Sequence, residues 1–370
     1  MKHVRFTGTD VGRRHRSIGN TILAVFIVIG ILIIAGYFGV KVFLNIGHNS
    51  LLQKPATQAP VIVDNDGDTP SAEQQEVLPD TVWKEEWVSY DGKIYEYNDD
   101  MLTFLAMGID KMGKVEKAKN KTDGGQADAL FLVCANPDTK QINIIGVNRD
   151  TMVDVVMAGV GENGEDVITT AEIAVQHGFG DGMEQSCELT VDAVSRLFYG
   201  LPIHGYLSFN MGGVAELSNA LGGVKLTCLE DLTKINKKWT EGAQITLKGK
   251  DTYDYIHWRD TKSFESARRR LARQKQYLSA MGKTTFAKMK EDLTLPVKLY
   301  KQFKPYIVTN LTVDEIAWLA TEFSSYELNI DTIYSLEGET KMGEQFEEFY
   351  PDKDALKRLM FELFYHEVEP

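Results

Sequence analysis

Cysteine is scarce in this sequence, with Cys134, Cys187 and Cys228 the only three among 370 residues. That number cannot staple a domain of this size, and no Cys-x-x-Cys or Cys/His spacing supplies a zinc set. Each cysteine lies in or beside an apolar run, so buried free thiols are expected, with one disulfide left open. A surplus of positive charge is also missing. Lys and Arg number 40 against 53 Asp and Glu, a formal net charge of −13. This argues against general nucleic-acid binding, because a duplex binder needs a broad basic face to release counterions. No internal repeat is present, so nothing points to a solenoid.

Charge itself is absent from Ser17 to Val40. A run of about 24 uncharged residues is long enough to cross a bilayer as a helix with some tilt. Lys2, Arg5, Arg13, Arg14 and Arg16 precede it against the single acid Asp10. The positive-inside rule then gives a cytoplasmic tail over 1–16, a transmembrane helix over 17–41 and an extracellular remainder, a single-pass cell-membrane protein. The bulky exit GYFGVKVF argues against signal cleavage and for an uncleaved anchor. Residues 42–80 turn to Gln, Pro, Ala, Asp, Ser and Thr without sustained periodicity, the composition of a flexible linker.

Beyond the linker, strand and helix signals alternate. An Asp91-Gly92 step separates two alternating runs in the manner of a tight hairpin. MLTFLAMGID reads as a buried strand ending at Asp110. ADALFLVCAN and QINIIGV read as two strands about the Asn136-Pro137-Asp138 turn, the second leading to Arg149 and Asp150. A helix is expected over Glu184–Leu197, a strand at GYLSFN, a short helix over Met211–Leu221 and a strand at VKLTCL. The fold class is therefore α/β, a central mixed β-sheet flanked by helices on both faces and preceded by one transmembrane helix. The domain is placed at 81–282. Residues 283–370 read as a mainly helical part packing on it, with a Thr312/Glu315 capping box and a closing helix over Asp354–Tyr365.

The segment Tyr255–Tyr277 gathers Arg259, Arg268, Arg269, Arg270, Arg273 and Lys275 in an otherwise acidic chain. If Ser266 or a neighbour caps a helix, Arg270, Arg273 and Gln274 stand at i, i+3 and i+4 on one face. Several planar guanidinium forks on one face suit a diphosphate; the alternative is a solvated face paired with carboxylates. In an α/β sheet ligands gather at strand ends, which brings in Asp110, the Arg149-Asp150 pair, Arg259 and, just before a strand, Asp128. Two converging carboxylates repel, and a divalent cation relieves them. Mg2+ suits a small carboxylate set completed by water and phosphate oxygens. The plainer alternative is that strand-end aspartates cap turns and strand-end arginines pair with them.

Taken together, MGID, GGQADA before an apolar strand, NRDTM, HGFGDG, YGLPIHGYLSFN, the ALGGV turn and RRRLARQKQYL resemble the LytR-CpsA-Psr family of bacterial cell-envelope proteins over roughly Leu102–Ala280. The resemblance implies a membrane-anchored extracellular phosphotransferase. Such an enzyme moves a glycopolymer of teichoic acid or capsular type from undecaprenyl diphosphate to peptidoglycan, with the lipid tail in an apolar pocket. It implies Mg2+ at Asp110 and Asp128. It also implies a diphosphate held by Arg149, Arg259, Arg270, Arg273 and Gln274, with His257 at the first position of the family's Arg-x-Arg step. Arg149, Arg259, Arg270, Arg273 and Asp110 are the expected catalytic set. The family's usual arginine-serine before the second aspartate is here Gln126-Ala127, and its usual proline before the strand-end arginine is Asn148. Two alternatives are a non-catalytic polyprenyl-lipid-binding envelope regulator and a polyprenyl diphosphate hydrolase.

Overall fold

The computed structural model describes residues 40–51, 59–62, 84, 86–120, 122–258, 266–344 and 346–369. Residues 40–51 form helix α1. Strands β1 (Trp87–Tyr90) and β2 (Lys93–Tyr97) make the expected hairpin. Asp91 and Gly92 have φ of 48° and 72°, the left-handed pair that a two-residue primed turn needs and that Asp-Gly tolerates. Strands β3 (Leu102–Ile109), β4 (Ala127–Asn136) and β5 (Gln141–Val147) pair antiparallel in succession. The β4–β5 turn is closed by Asn136 Oδ1, which accepts from the Asp138 and Thr139 amides at 2.9 and 3.1 Å.

A second hairpin, β6 (Met152–Met157) with β7 (Val167–Glu172), leads into helix α2 (Glu184–Leu197). Asp181 Oδ1 starts that helix by accepting from the amides of Met183 and Ser186 at 2.9 and 3.3 Å, satisfying donors that the first turn leaves orphaned. Strand β8 (Gly205–Asn210) and helix α3 (Val214–Ala220) follow. Then come the hairpin β9 (Val224–Thr227) with β10 (Gln244–Leu247) and helices α4 (Lys250–His257), α5 (Ser266–Glu291) and α6 (Leu295–Phe303). The chain closes with β11 (Ile307–Thr309), α7 (Val313–Phe323), β12 (Glu327–Ser335), the hairpin β13 (Gly338–Met342) with β14 (Glu347–Pro351), α8 (Lys353–Phe364) and β15 (Tyr365–Glu367).

The central sheet has the order β11-β8-β3-β4-β5-β12. It is mixed: β3 runs parallel to β8 and β5 to β12, while the other neighbours are antiparallel. Both faces are covered, which is why its strands are nearly continuous in apolar residues. Leu105, Met107 and Ile109 point to the core shared with α2 and α8, whereas Leu102 and Phe104 point to the core shared with α1 and α7. A third core under β9, β10, α4 and α5 includes Trp239, Tyr255 and Tyr277. All three cysteines are buried and free.

Three expectations change. VKLTCL does form a strand, but it pairs with β10 in a separate hairpin outside the central sheet. The segment 283–370 is not a mainly helical appendage: it supplies both edge strands, β11 and β12, and α5 runs through the expected boundary. Short edge strands returning from a distant part of the chain leave no local periodic signal. Thirdly, the linker does not begin at 42. Residues 42–51 are helical, and Leu51 is buried beside Leu319 and Tyr326. Close approach permits this, since a Cβ on Gly47 would stand 2.4 Å from Asp314 O. The proposed span over 17–41 lies outside the described residues except for its last two positions. Among the described residues no helix is long and apolar enough to cross a membrane.

The Thr312/Glu315 capping box is present, and Glu315 serves twice. It accepts from the Thr312 amide at 2.8 Å and from Ser50 Oγ at 2.8 Å, tying α1 to the start of α7. Thr312→Ala is expected to cost about 1 kcal/mol, the worth of a cap. Glu315→Ala removes a buried acceptor shared by two part-buried donors, the Thr312 amide and the Ser50 hydroxyl, and is expected to cost about 2–3 kcal/mol. Urea unfolding of the two variants should rank them in that order.

Candidate functional site

Strand register decides which side chains meet. Ile109 pairs with Ala127, after a register shift at Gly108, and Leu130 pairs with Val147. The end of β3, the start of β4 and the end of β5 therefore lie at one edge of the sheet, which brings Asp110, Asp128 and Arg149 together. Parallel β8 ends there too, with Asn210 opposite Ile109.

The loop between Asp110 and Gln126 is closed by a reciprocal pair. The Gln126 amide donates to Asp110 Oδ1 at 2.7 Å, and the Asp110 amide donates to Gln126 O at 3.0 Å. His177, buried within the HGFGDG motif, braces the same loop. Its Nδ1 lies 3.1 Å from both Gly124 O and Gly125 O. Two carbonyl acceptors require a proton on Nδ1, so Nε2 is the bare nitrogen facing Cys187 Sγ at 3.8 Å. Burial pushes this imidazole below its ordinary pKa, which keeps it neutral. A Cβ on Gly124 would meet His177 O at 2.5 Å, so the brace requires glycine there.

Arg149 is the hub. Its Nη1 donates to Asp128 Oδ1, its Nη2 to Gln126 Oε1 at 2.8 Å and its Nε to Asp150 Oδ1 at 3.2 Å. Burial pushes the Asp128 carboxyl above its ordinary pKa; Arg149 and Arg270 oppose this, and the charges of Asp110 and Asp150 add to it. A carboxyl whose folded pKa is raised favours folding while protonated and loses that contribution as pH rises through the folded value. Glu172 is raised for the same reasons, burial first and then Asp150. The edge is thus crowded with carboxylates.

From α5, Arg270 acts on Asp128 and also on His257, whose imidazole is pushed down by burial and then by that neighbouring charge. Arg270 thus connects the strand-end cluster to the end of α4. The structure places Asp110, Asp128, Arg149, Arg270 and His257 in one neighbourhood. Arg259 lies outside the described residues.

Arg273 does not fit the expected role. Its side chain is 2% exposed, and its guanidinium donates to Tyr255 O at 2.7 Å, to Trp258 O and to Glu230. Those acceptors hold a guanidinium sealed from solvent, so Arg273 fastens α5 to α4 and, unlike Arg149 with a third of its side chain exposed, has no face for phosphate. Gln274 does likewise, Nε2 donating to Ile256 O at 3.2 Å. Glu230 also accepts from Arg269 Nε at 2.9 Å. Sequence spacing put these residues on a shared helix face but could not show that α4 covers it. Reasoning from sequence also missed Gln126 and His177. Gln126 was visible only as a departure from a pattern, and His177 only as part of a glycine-rich motif.

Among the described residues no three His, Cys, Asp or Glu side chains gather into a metal cage. The pair Asp110 and Asp128 does match the donor set of an ion that keeps most of its shell for water and phosphate. Asp110 spends one carboxylate oxygen on Gln126, and the crowding at Asp128 is the strain that such an ion relieves.

The sequence model described as the LytR_cpsA_psr family matches residues 67–363. A relative from Oceanobacillus iheyensis, the polyisoprenyl-teichoic acid–peptidoglycan teichoic acid transferase TagU, is 26% identical over 234 residues, 63% of this chain and 66% of its own. The match spans from about half to about two thirds of the length of such curated relatives. Among solved structures, the Lin1025 protein from Listeria innocua superposes with a TM-score of 0.50 at 25% identity, covering 71% of this chain and 96% of its own. The structure of TagT bound to LI-WTA superposes with a TM-score of 0.50 at 22% identity, covering 71% and 89%.

The different duties of two arginines three residues apart can be separated without any ligand. Arg273→Met removes the donor of two carbonyls and one of the two arginine partners of half-buried Glu230, and is expected to cost about 3 kcal/mol. Arg270→Met should stay within about 0.5 kcal/mol of the parent. Thermal unfolding of both variants checks this; equal losses would return Arg273 to the list of surface cations.

Proposed function

This chain belongs to the LytR-CpsA-Psr family, and on that premise we propose that it is a membrane-anchored phosphotransferase. It would move a glycopolymer of teichoic acid or capsular type from a polyprenyl diphosphate, undecaprenyl by preference, to peptidoglycan. The observation that carries this reading is the convergence of Asp110, Asp128, Arg149 and Arg270 at one edge of the central sheet. Several cations beside paired carboxylates are what phosphoryl transfer needs, since its catalysis is mostly positioning and charge stabilisation. The teichoic acid transferase activity of the TagU relative and the LI-WTA bound to TagT support the same substrate class.

In this mechanism Arg149 and Arg270 bind the non-bridging oxygens of the diphosphate and hold them in line. A hydroxyl of the acceptor sugar attacks the phosphorus nearer the glycopolymer, and the bond to the bridging oxygen breaks. Polyprenyl phosphate leaves, its charge held by the same guanidinium groups. The proton of the attacking hydroxyl passes to a carboxylate oxygen of Asp110 or Asp128. Asp110 and Asp128 would hold Mg2+, which when bound supplies positive charge opposite the phosphate oxygens. The anchor is proposed at residues 17–41, with the basic tail cytoplasmic and the sheet domain outside, on the strength of the uncharged run and the preceding cations.

Arg149→Ala tests the reading. Release of polyprenyl phosphate from a polyprenyl diphosphate-linked saccharide is expected to fall by about 10²–10³-fold, while the unfolding midpoint moves by only a few degrees. Undiminished release from the folded variant would remove Arg149 from the reaction and the proposal with it.

A further inference from the structure

Beside the end of α4 lies an open depression of about 530 Å³ whose lining includes Lys234, Lys250, Tyr253, Asp254, His257 and Trp258. We infer that this depression is a subsite for a pyranose ring of an anionic acceptor glycan, adjoining the diphosphate cluster but separate from it. The inference rests on the transferase reading for its role, and on the following geometry for its existence.

Tyr253 stacks on His257 with ring centroids 4.2 Å apart and planes 17° from parallel, and is 42% exposed. One aromatic face is thereby fixed while the residue still meets solvent, the arrangement that takes the CH face of a sugar ring. The Nε2 of His257 is buried and has no hydrogen-bond partner. A buried polar atom left unpaired is a cost to the fold, which a glycan hydroxyl reaching past the wall of the depression would relieve. Asp254, paired with Lys250, keeps a carboxylate at the wall as an acceptor for further hydroxyls.

Charge selects the class of glycan. In a chain of net charge −13, Lys234 and Lys250 rim the depression, and exposed Lys237 and Lys238 follow on the loop that carries Lys234. The lining has no arginine fork for a bidentate grip on phosphate, and its lysines stand at the rim, where they meet a carboxylate carried at the edge of a sugar ring. Location agrees: the charge of Arg270 acts on both His257, in the lining of the depression, and Asp128, in the carboxylate pair.

The test uses the full chain in detergent, titrated by calorimetry with peptide-free oligomers of N-acetylglucosamine and N-acetylmuramic acid. The neutral oligomer chitotetraose and farnesyl diphosphate serve as comparison probes. The parent protein is expected to bind the acidic oligomer at least about tenfold more tightly than chitotetraose. Tyr253→Leu should weaken the acidic oligomer by about tenfold or more, and Lys250→Glu, at a side chain 83% exposed, should remove the preference for the acidic oligomer. Arg149→Ala should lose farnesyl diphosphate yet hold the glycan within about twofold. Equal binding of both oligomers, or a glycan lost with Arg149→Ala, overturns the subsite. Glycan binding without any binding of farnesyl diphosphate keeps the subsite and sinks the transferase reading instead. Should Tyr253→Leu fail to fold, the Lys250→Glu arm decides.

Discussion

The antiparallel register of β3, β4 and β5 is the constraint on which everything else depends. Because the register shifts at Gly108 and pairs Ile109 with Ala127, two aspartates that are 18 positions apart in sequence stand at one edge beside the arginine that follows β5. A slip of one residue in β4 would turn its apolar set away from the core and carry Asp128 with it. Two-sided burial of the sheet forbids that slip, so the hydrophobic effect that folds the domain also fixes the site. The cost is electrostatic. Burial first, and the charges of Asp110 and Asp150 after it, give Asp128 its raised affinity for a proton.

Helix α5 shows how a scaffold arginine and a working arginine divide one face. Arg273 is sunk against α4 by two backbone carbonyls and Glu230. Arg270 lies one turn earlier and acts on both Asp128 and His257. Locking a residue three positions away fixes the direction from which Arg270 approaches, because side chains at i and i+3 emerge from the same side of a helix. His177 performs the corresponding task for the Asp110–Gln126 loop, with backbone carbonyls as its handles. In both places a buried, saturated polar group steadies a more accessible charged one.

Local chemistry in the sequence carried much of this. The Asp91-Gly92 hairpin, the Asn136 turn, the Glu184–Leu197 helix and the Thr312/Glu315 box stand where their turn and cap signals put them, because each depends on neighbours within a few residues. Asp110, Asp128 and Arg149 were legible as charges ending apolar runs. What failed was every judgement that needed to know what covers a face. Arg273 and Gln274 have the periodicity of a ligand-facing stripe, and only the packing of α4 shows that the stripe faces inward. The edge strands β11 and β12 join the sheet through partners about a hundred residues or more away in sequence, a distance at which pattern has no purchase. Residues 42–51 look like tether because their order comes from α7 and not from their own composition.

The departures from the family's pattern have a physical consequence at the edge. Gln126 occupies Arg149 through a neutral oxygen, and His257 is held uncharged by burial and by Arg270, so neither position adds a cation. Around Asp128 and Glu172 the charges of Asp110, Asp150 and Glu348 are set against those of Arg149 and Arg270. In a partly desolvated setting repulsion among such acids is several times what it would be in water. The divalent ion proposed on the Asp110–Asp128 pair would remove the mutual repulsion of the two carboxylates and add positive charge beside Arg149 and Arg270, where an entering diphosphate would otherwise meet those acids directly.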